Sequence, residues 1–481
     1  MMRPRVAPTT RHGSPIDDTL GDTGERTAGR ADAGEAGAAV LVLLWSRDEP
    51  ERVGEAVHVP ADDVGTIGRA IDEGDDGATP LSFARMRPAG AVETGPLRSA
   101  RVSRRQLLLA REGDDAVRVE QLGSGVLRLD GHAMTAGVLR PGGLVELEHR
   151  LVLLYTTRPS AWLRPRAADP AEFAFGAADH RGVVGESPAA WDLRARIDAL
   201  AGRDEHVLVL GPSGSGKELV VQAIHAGSRR GRGPLVSRNA ATIPEALIDA
   251  ELFGNLRNYP NPGMPERCGL LGEADGGSLL LDEIGELSPR LQAHLLRAMD
   301  RGEYQRLGET RTRRADVRVL AATNRDPAEL KHDFLARFPH RLTVPGLGAR
   351  PEDVVLIARH LLRRIAASDA ALADATLGPE FVAALVACRF TTHVRELHEL
   401  LWSALHARSG DVLTPPAPLV RVARPRPSDP VQAAPVTGAL TREAVLAALE
   451  RCGGRKEAAW RELGLRNRYQ LHRVLKKLGL P

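Results

Sequence analysis

Apolar residues fall into three regimes along the chain. From Val40 to about Thr157 they form short β-type runs (VLVLLW, AVHVP, QLLLA, VRVEQL, LVELEHRLVLLYTT) separated by Gly, Asp and Pro turns. That pattern predicts an all-β sandwich over 39–158. Within it, the stretch from Ala70 to Val92 and onward is rich in Gly, Asp and Pro and reads as a loop. Over 182–345, apolar strands alternate with helical patterns, as in a parallel α/β sheet, and 346–410 reads as a helical lid. From Leu440 a helical periodicity returns, punctuated by Gly453-Gly454 and Gly464, which predicts a small all-α domain over 437–481. Residues 1–38 lack aromatics and periodicity and read as a disordered tail. Residues 159–181 and 411–436 read as linkers rich in Pro, Ala and Arg or in Pro.

Composition narrows the functional classes. A chain of 481 residues exceeds one core and suggests about three domains. The net charge of +3 is too small for a protein that coats nucleic acid, so any DNA contact has to be local. From residue 441 onward, ten basic residues face four acidic ones, so basic charge is concentrated there. Cys268, Cys388 and Cys452 form no metal spacing and fit a reducing compartment. No run of 18 apolar residues and no signal-peptide pattern occurs, and the expected location is cytoplasmic, with no membrane partner.

The chemistry centres on His206 to Val220, HVLVLGPSGSGKELV, a short apolar strand, a glycine-rich turn and the start of a helix. Gly211, Gly216 and Lys217 match the spacing G-x-x-x-x-G-K, in which backbone N–H groups wrap a triphosphate and the lysine reaches its outer phosphates. The binding segment is therefore Gly211, Pro212, Ser213, Gly214, Ser215, Gly216, Lys217 and Glu218. Of 65 basic residues, 60 are arginine, yet a lysine fills the position that needs a compact ammonium. Some 65 residues later the apolar run Ser278–Leu281 ends in Asp282 and Glu283. Paired acids there lie at the carboxyl edge of a sheet, beside the phosphates. Asp282 would hold Mg²⁺ through water, and Glu283 would polarise the attacking water as general base. A third strand, Val317 to Ala322, ends at Thr323-Asn324, where Asn324 is suited to sensing the γ-phosphate.

With these motifs in hand, GPSGSGKELV, RNAATIP, ELFG, GGSLLLDEIGELSPRLQAHLLRAMDRGEYQRLG, DVRVLAATNRD and VRELHELL closely resemble the AAA+ domain of bacterial enhancer-binding proteins, the sigma-54-dependent transcription activators. The resemblance implies ATP with Mg²⁺ as cofactors, and Asn239 as a switch holding Glu283 until ATP binds. It also implies Lys331 and Arg337 as fingers reaching a neighbour's γ-phosphate, Arg395 as a second sensor, and a homo-oligomer, the hexamer of the family. Lys331 stands where the family usually has arginine, and Thr391-Thr392-His393 where it has Pro-Gly-Asn. The family's G-A-F-T-G-A hexapeptide, which touches sigma-54 on RNA polymerase, aligns with Asn258-Tyr259-Pro260-Asn261-Pro262-Gly263 and is not kept.

Two further resemblances flank this domain. Thr66-Ile67-Gly68-Arg69 and Ser103-Arg104 resemble the forkhead-associated (FHA) domain, implying a phosphothreonine protein as partner, bound through Arg69, Ser103 and Arg104. Gln106 replaces that family's histidine, and Ser124–Gly131 lacks its Asn-Gly. GGRKEAAWRELGLRNRYQLHRVLKKLGL resembles the Fis-type helix-turn-helix, implying double-stranded DNA as partner. Arg466, Asn467, Arg468, Gln470 and Arg473 are the candidates for base or phosphate contacts, with Lys476 and Lys477 near the backbone. Two functions follow: an ATP-hydrolysing regulator that remodels a promoter-bound polymerase, or a nucleotide-gated, DNA-anchored adaptor or repressor that no longer remodels sigma-54.

Overall fold

The computed structural model describes residues 37–69, 78–244, 247–369 and 372–417, with a few scattered positions beyond. The residues of the expected helix-turn-helix, Arg466, Asn467, Arg468, Gln470, Arg473, Lys476 and Lys477, lie outside the described set, as do residues 1–36 of the expected tail, whose last residue, Ala38, opens a strand instead.

The front part is all β, as its sequence predicts. Its strands are β1 (Ala38–Ser46), β2 (Ala56–His58), β3 (Val64–Ile67), β4 (Thr79–Pro80), β5 (Phe83–Arg87), β6 (Gly90–Gly95), β7 (Leu107–Arg111), β8 (Val117–Gln121), β9 (Leu127–Leu129), β10 (His132–Ala133), β11 (Ala136–Leu139), β12 (Leu144–Leu147) and β13 (Leu151–Arg158). One sheet runs β10-β9-β12-β13-β1-β2-β5-β6; the other runs β11-β8-β7-β3-β4, with Asp429–Pro430 paired beyond β11. The loop expected from Ala70 to Val92 is corrected in part, because β5 and β6 pair antiparallel from Arg87↔Gly90 to Phe83↔Gly95. Phe83 and Met86 are buried and anchor that hairpin, outweighing its turn-forming composition.

The central strand β1 shows how this sandwich is used. Ala39, Leu41 and Leu43 point into the core between the two sheets with Leu153 and Tyr155. Val40, Val42 and Leu44 point the other way, into a core shared with Val354, Leu356, Phe381 and Leu385 of the lid. A strand buried on both faces has no need of polar alternation, which accounts for the unbroken AAVLVLLW run.

The α/β part follows. Helix α1 (Pro188–Ala201) starts at Ser187, whose hydroxyl accepts the Ala190 N–H, with Pro188 in the first turn. Strand β14 (Val207–Leu210) leads through the phosphate loop into α2 (Lys217–Ala226). Then come β15 (Leu235–Asn239), α3 (Ile248–Phe253), α4 (Leu270–Glu273), β16 (Ser278–Asp282), α5 (Pro289–Arg301), the hairpin β17 (Glu303–Tyr304) and β18 (Arg313–Arg314), β19 (Arg318–Thr323), α6 (His332–Leu335) and β20 (His340–Thr343). Strands β15-β16-β19-β14-β20 form one sheet, and every pairing in it is parallel. The lid consists of α7 (Asp353–Ser368), α8 (Pro379–Ala387) and α9 (His393–His406).

Segment 159–181 is not a free spacer. Pro165 bridges Ala91, and Phe173 and Phe175 stack on the buried guanidinium of Arg87 at 4.6 and 5.1 Å. The Arg87–Asp169 ion pair at 2.5 Å and backbone hydrogen bonds from Ala91 to Arg164 and from Arg166 to Ala91, each 2.8 Å, dock it together with the aromatic contacts.

Candidate nucleotide site

The carboxyl edge of the parallel sheet gathers the residues singled out from sequence. Three glycines of the phosphate loop, Gly211, Gly214 and Gly216, have positive φ. At Gly214 a Cβ would sit 2.1 Å from the Thr392 carbonyl of the lid, so only glycine allows that approach. At Gly216 the φ of 101° again favours glycine, and the space a Cβ would occupy is open. Lys217 is buried, and its Nζ donates to the Gly211 and Pro212 carbonyls at 3.0 and 3.3 Å. It has no carboxylate partner among the described residues. The Ser215 hydroxyl is buried beside it without a hydrogen-bond partner. A neutral cradle at a helix N-terminus, one uncompensated cation and an unsatisfied hydroxyl fit a phosphate group.

Asp282 and Glu283 close the next strand. Glu283 has left-handed φ and ψ of 51° and 48°, an uncommon conformation for a non-glycine residue and a frequent one where a side chain has to be aimed. Its N–H donates to Asp282 Oδ1 at 3.0 Å, and its Oε2 accepts the Asn324 N–H at 3.4 Å. The expected switch residue is placed differently from its sequence reading: the Asn239 amide reaches Asp282 at 3.5 Å, and its carbonyl caps Ala241, so in this structure it does not hold Glu283. The in-register neighbours Asn239 and Asp282 explain that pairing.

The lid covers the loop from the other side. Val394 donates its N–H to the Gly214 carbonyl at 3.0 Å, and Arg395 reaches the Ser213 hydroxyl at 3.3 Å. His393, in the altered segment before Arg395, has φ of 46° and accepts the Leu347 N–H on Nδ1 at 3.2 Å, tying the start of α9 to the turn that follows β20. Between them opens a cavity of about 180 Å³ lined by Val183, Val184, Leu219, Ile357, Leu361 and Arg350. Sequence reasoning missed this apolar pocket, whose walls come from three separated segments. Arg350 is buried in it with Nε unpaired, and burial lowers its pKa.

The comparisons with known proteins agree with this edge. Residues 183–346 match the model of the sigma-54 interaction domain. The transcriptional regulatory protein ZraR of Escherichia coli K12 is 37% identical over 292 residues, 59% of this chain and 66% of ZraR. The anaerobic nitric oxide reductase transcription regulator NorR of Klebsiella pneumoniae is 36% identical over 400 residues, 77% of this chain and 73% of NorR. This chain belongs to the family of sigma-54-dependent transcription regulators. Its α/β domain is accordingly an AAA+ ATPase domain. Among solved structures, NtrX from Brucella abortus in complex with ADP is 31% identical over 62% of this chain and 70% of its own, with a TM-score of 0.47. The chain spans about two thirds of the length of the ZraR proteins that it matches.

In this sigma-54 regulator the two expected fingers flank α6. Arg337 pairs through its guanidinium with both carboxylate oxygens of Asp300, and Lys331 is exposed; neither bonds its own phosphate loop. The segment replacing the family's hexapeptide is fastened down. Asn255 and Arg267 exchange two backbone hydrogen bonds at 3.2 and 3.1 Å, closing the loop at its base. Glu266 pairs with Arg306 at 2.8 Å, and the Tyr259 ring lies where a Cβ on Gly308 would meet it at 2.6 Å. Both contacts tie the segment to the turn between β17 and β18.

In the sandwich, Gly68 lies under Arg104, whose carbonyl a Cβ would meet at 1.9 Å, and the Arg69 N–H donates to the Ser103 carbonyl at 3.2 Å. Gln106 is fully buried: its Oε1 accepts the Ser103 N–H at 2.9 Å and its Nε2 donates to the Ser124 carbonyl at 3.1 Å. Ser103 Oγ accepts the Ser124 N–H at 3.3 Å, and Arg150 donates to the Ser124 carbonyl at 2.6 Å. The residue that departs from the FHA pattern therefore braces both loops. Arg69 and Arg104 are exposed beside Ser103.

Proposed function

We propose that this chain is an ATP-hydrolysing transcription regulator that binds DNA through its C-terminal segment and receives its input at the β-sandwich. The observation that carries it is the convergence of Lys217, Asp282, Glu283 and Asn324 on one sheet edge beneath a lid that already touches the phosphate loop. Lys217 would exchange its two carbonyl contacts for phosphate oxygens, Glu283 would orient and deprotonate water, and Asn324 would read the terminal phosphate. Mg²⁺, held through water on Asp282, would neutralise phosphate charge. Arg337 would leave Asp300 to reach a neighbouring copy's site, so activity requires assembly, with a hexamer as the expected ring. The exposed Arg69 and Arg104 beside Ser103 support a phosphothreonine ligand for the sandwich.

ATPase rate per subunit should rise with protein concentration, and Glu283→Gln should abolish turnover while sparing ATP binding. A flat, buffer-level rate moves the reading to the second function, a nucleotide-gated adaptor or repressor. The pinned 255–267 loop favours that second reading for the sigma-54 step. Mixing the chain, trapped with a transition-state analogue, with sigma-54 separates the two: stable association supports remodelling, and its absence supports the adaptor.

A further inference from the structure

The cavity beside the phosphate loop, where the ATP reading would seat the base, is built by the α/β domain and the lid, yet it is gripped from outside by the sandwich. Its floor is Val183–Val184 and its roof is α7, which contributes Ile357 and Leu361. Floor and roof meet at Asp353, fully buried at the start of α7, which accepts the N–H groups of Glu186 and Ser187 at 2.8 and 3.0 Å and the Ser187 hydroxyl. Each side then receives one arginine from the sandwich. Arg87, on β5, places two parallel donors on Glu186 at 2.9 and 2.6 Å, two residues beyond the floor. Its guanidinium is packed among Phe173, Phe175 and Trp191 and is 2% exposed. Arg158, the last residue of β13, pairs with Glu352 two residues after Arg350, both side chains being buried. Inside, Arg194 holds the floor by donating to the Val183 and Gly185 carbonyls at 2.9 and 2.8 Å.

We infer that Arg87 and Arg158 are positioning residues for nucleotide binding: by clamping Glu186 and Glu352 they set the separation of floor and roof, so that the front domain tunes affinity for ATP. The inference rests on the ATP reading above. The Arg87–Glu186 pair is buried and bidentate and so defines geometry as well as charge, the Arg158–Glu352 pair is a buried single contact, and a cavity wall displaced by a fraction of its width loses contact with a flat base. Neither arginine is placed to touch the reacting phosphates, so affinity should move and turnover should not.

The test uses full-length protein and a fluorescent N-methylanthraniloyl ATP analogue. Arg87→Met and Arg158→Met are each expected to raise its dissociation constant and the KM for ATP roughly 5- to 10-fold, with kcat changed less than about twofold. Arg87→Lys, which keeps the charge but loses the two-donor fork on Glu186, should fall between wild type and Arg87→Met; it also serves if the methionine variant fails to fold. Leu109→Ala, a core truncation between the two sheets, lowers stability without touching the clamp and should leave the dissociation constant unchanged. Folded arginine variants that bind like wild type, or a Leu109→Ala variant that weakens binding equally, overturn the inference. No binding by wild-type protein overturns the nucleotide reading itself, and this inference with it.

Discussion

In the phosphate loop one buried cation, Lys217, is held by two carbonyls within six residues of it in sequence. The sandwich's loop cluster instead presents two exposed cations, Arg69 and Arg104, on a frame drawn from segments around Gly68, Ser103 and Ser124. The first arrangement is local: a strand, a turn with three positive-φ glycines and a helix start define it wherever the strand is seated. The second depends on Gln106 bridging loops whose proximity exists only after the sheets have formed. A local site fails when its one cation is lost, whereas a cluster assembled from several loops loses affinity in steps.

That contrast can be broken most sharply at Lys217. Lys217→Ala should weaken ATP binding at least about 100-fold, some 2.7 kcal/mol, in a fluorescence titration; a loss under threefold would mean that the loop does not meet phosphate. A second cut separates the two regions. Deleting residues 1–181 would expose the lid face that Val40, Val42 and Leu44 cover, so the remainder should self-associate in size-exclusion chromatography and melt roughly 10 °C lower. A monodisperse remainder with unchanged melting would show that the shared core contributes little. Next in size, Arg69→Ala should weaken a phosphothreonine peptide about tenfold by calorimetry, as expected for one charge-assisted contact. Equal binding of the unphosphorylated peptide would remove the phosphate reading.

The smallest effect concerns the strands beneath the phosphate loop. Burial lowers the pKa of His206, whose Nδ1 accepts the Val319 N–H at 3.0 Å. The unfolded imidazole titrates near ~6.5, so below that pH the unfolded chain takes up a proton that the fold refuses. Stability supplied by neutral His206 is therefore present above about pH 6.5 and lost as pH falls, by at most ~1.4 kcal/mol per unit. His206→Gln should flatten the dependence of denaturation midpoint on pH between about 6.5 and 5.5. An unchanged slope would show that His206 does not govern it.

Much of the AAA+ edge was legible because its chemistry is written in short windows. Gly211–Lys217 and Asp282-Glu283 each carry their geometry in adjacent residues, and the parallel sheet brings their ends together. Asn239 was legible by position but not by contact, since a side chain one strand away from two acids can pair with either. The β5–β6 hairpin and the docking of 159–181 are not legible in composition, because Gly, Asp and Pro in the one stretch and Pro, Ala and Arg in the other read as loop and linker, while buried Phe83 and Met86 and the stacked Phe173 and Phe175 hold them in place.

The sequence by itself determined the β-rich front part, the α/β part behind it, the glycine-rich turn between β14 and α2 and the strand that bears the two acids, because these depend on residues close together in the chain. Only the tertiary structure decided that the sandwich and lid share one core, that Gln106 braces the loop cluster, and that Arg87 and Arg158 face Glu186 and Glu352. Those partners lie 99 and 194 residues apart. The unbroken apolar run of β1 hinted that both its faces would be covered, but no local pattern states what covers them, because burial on a second face depends on a surface folded elsewhere.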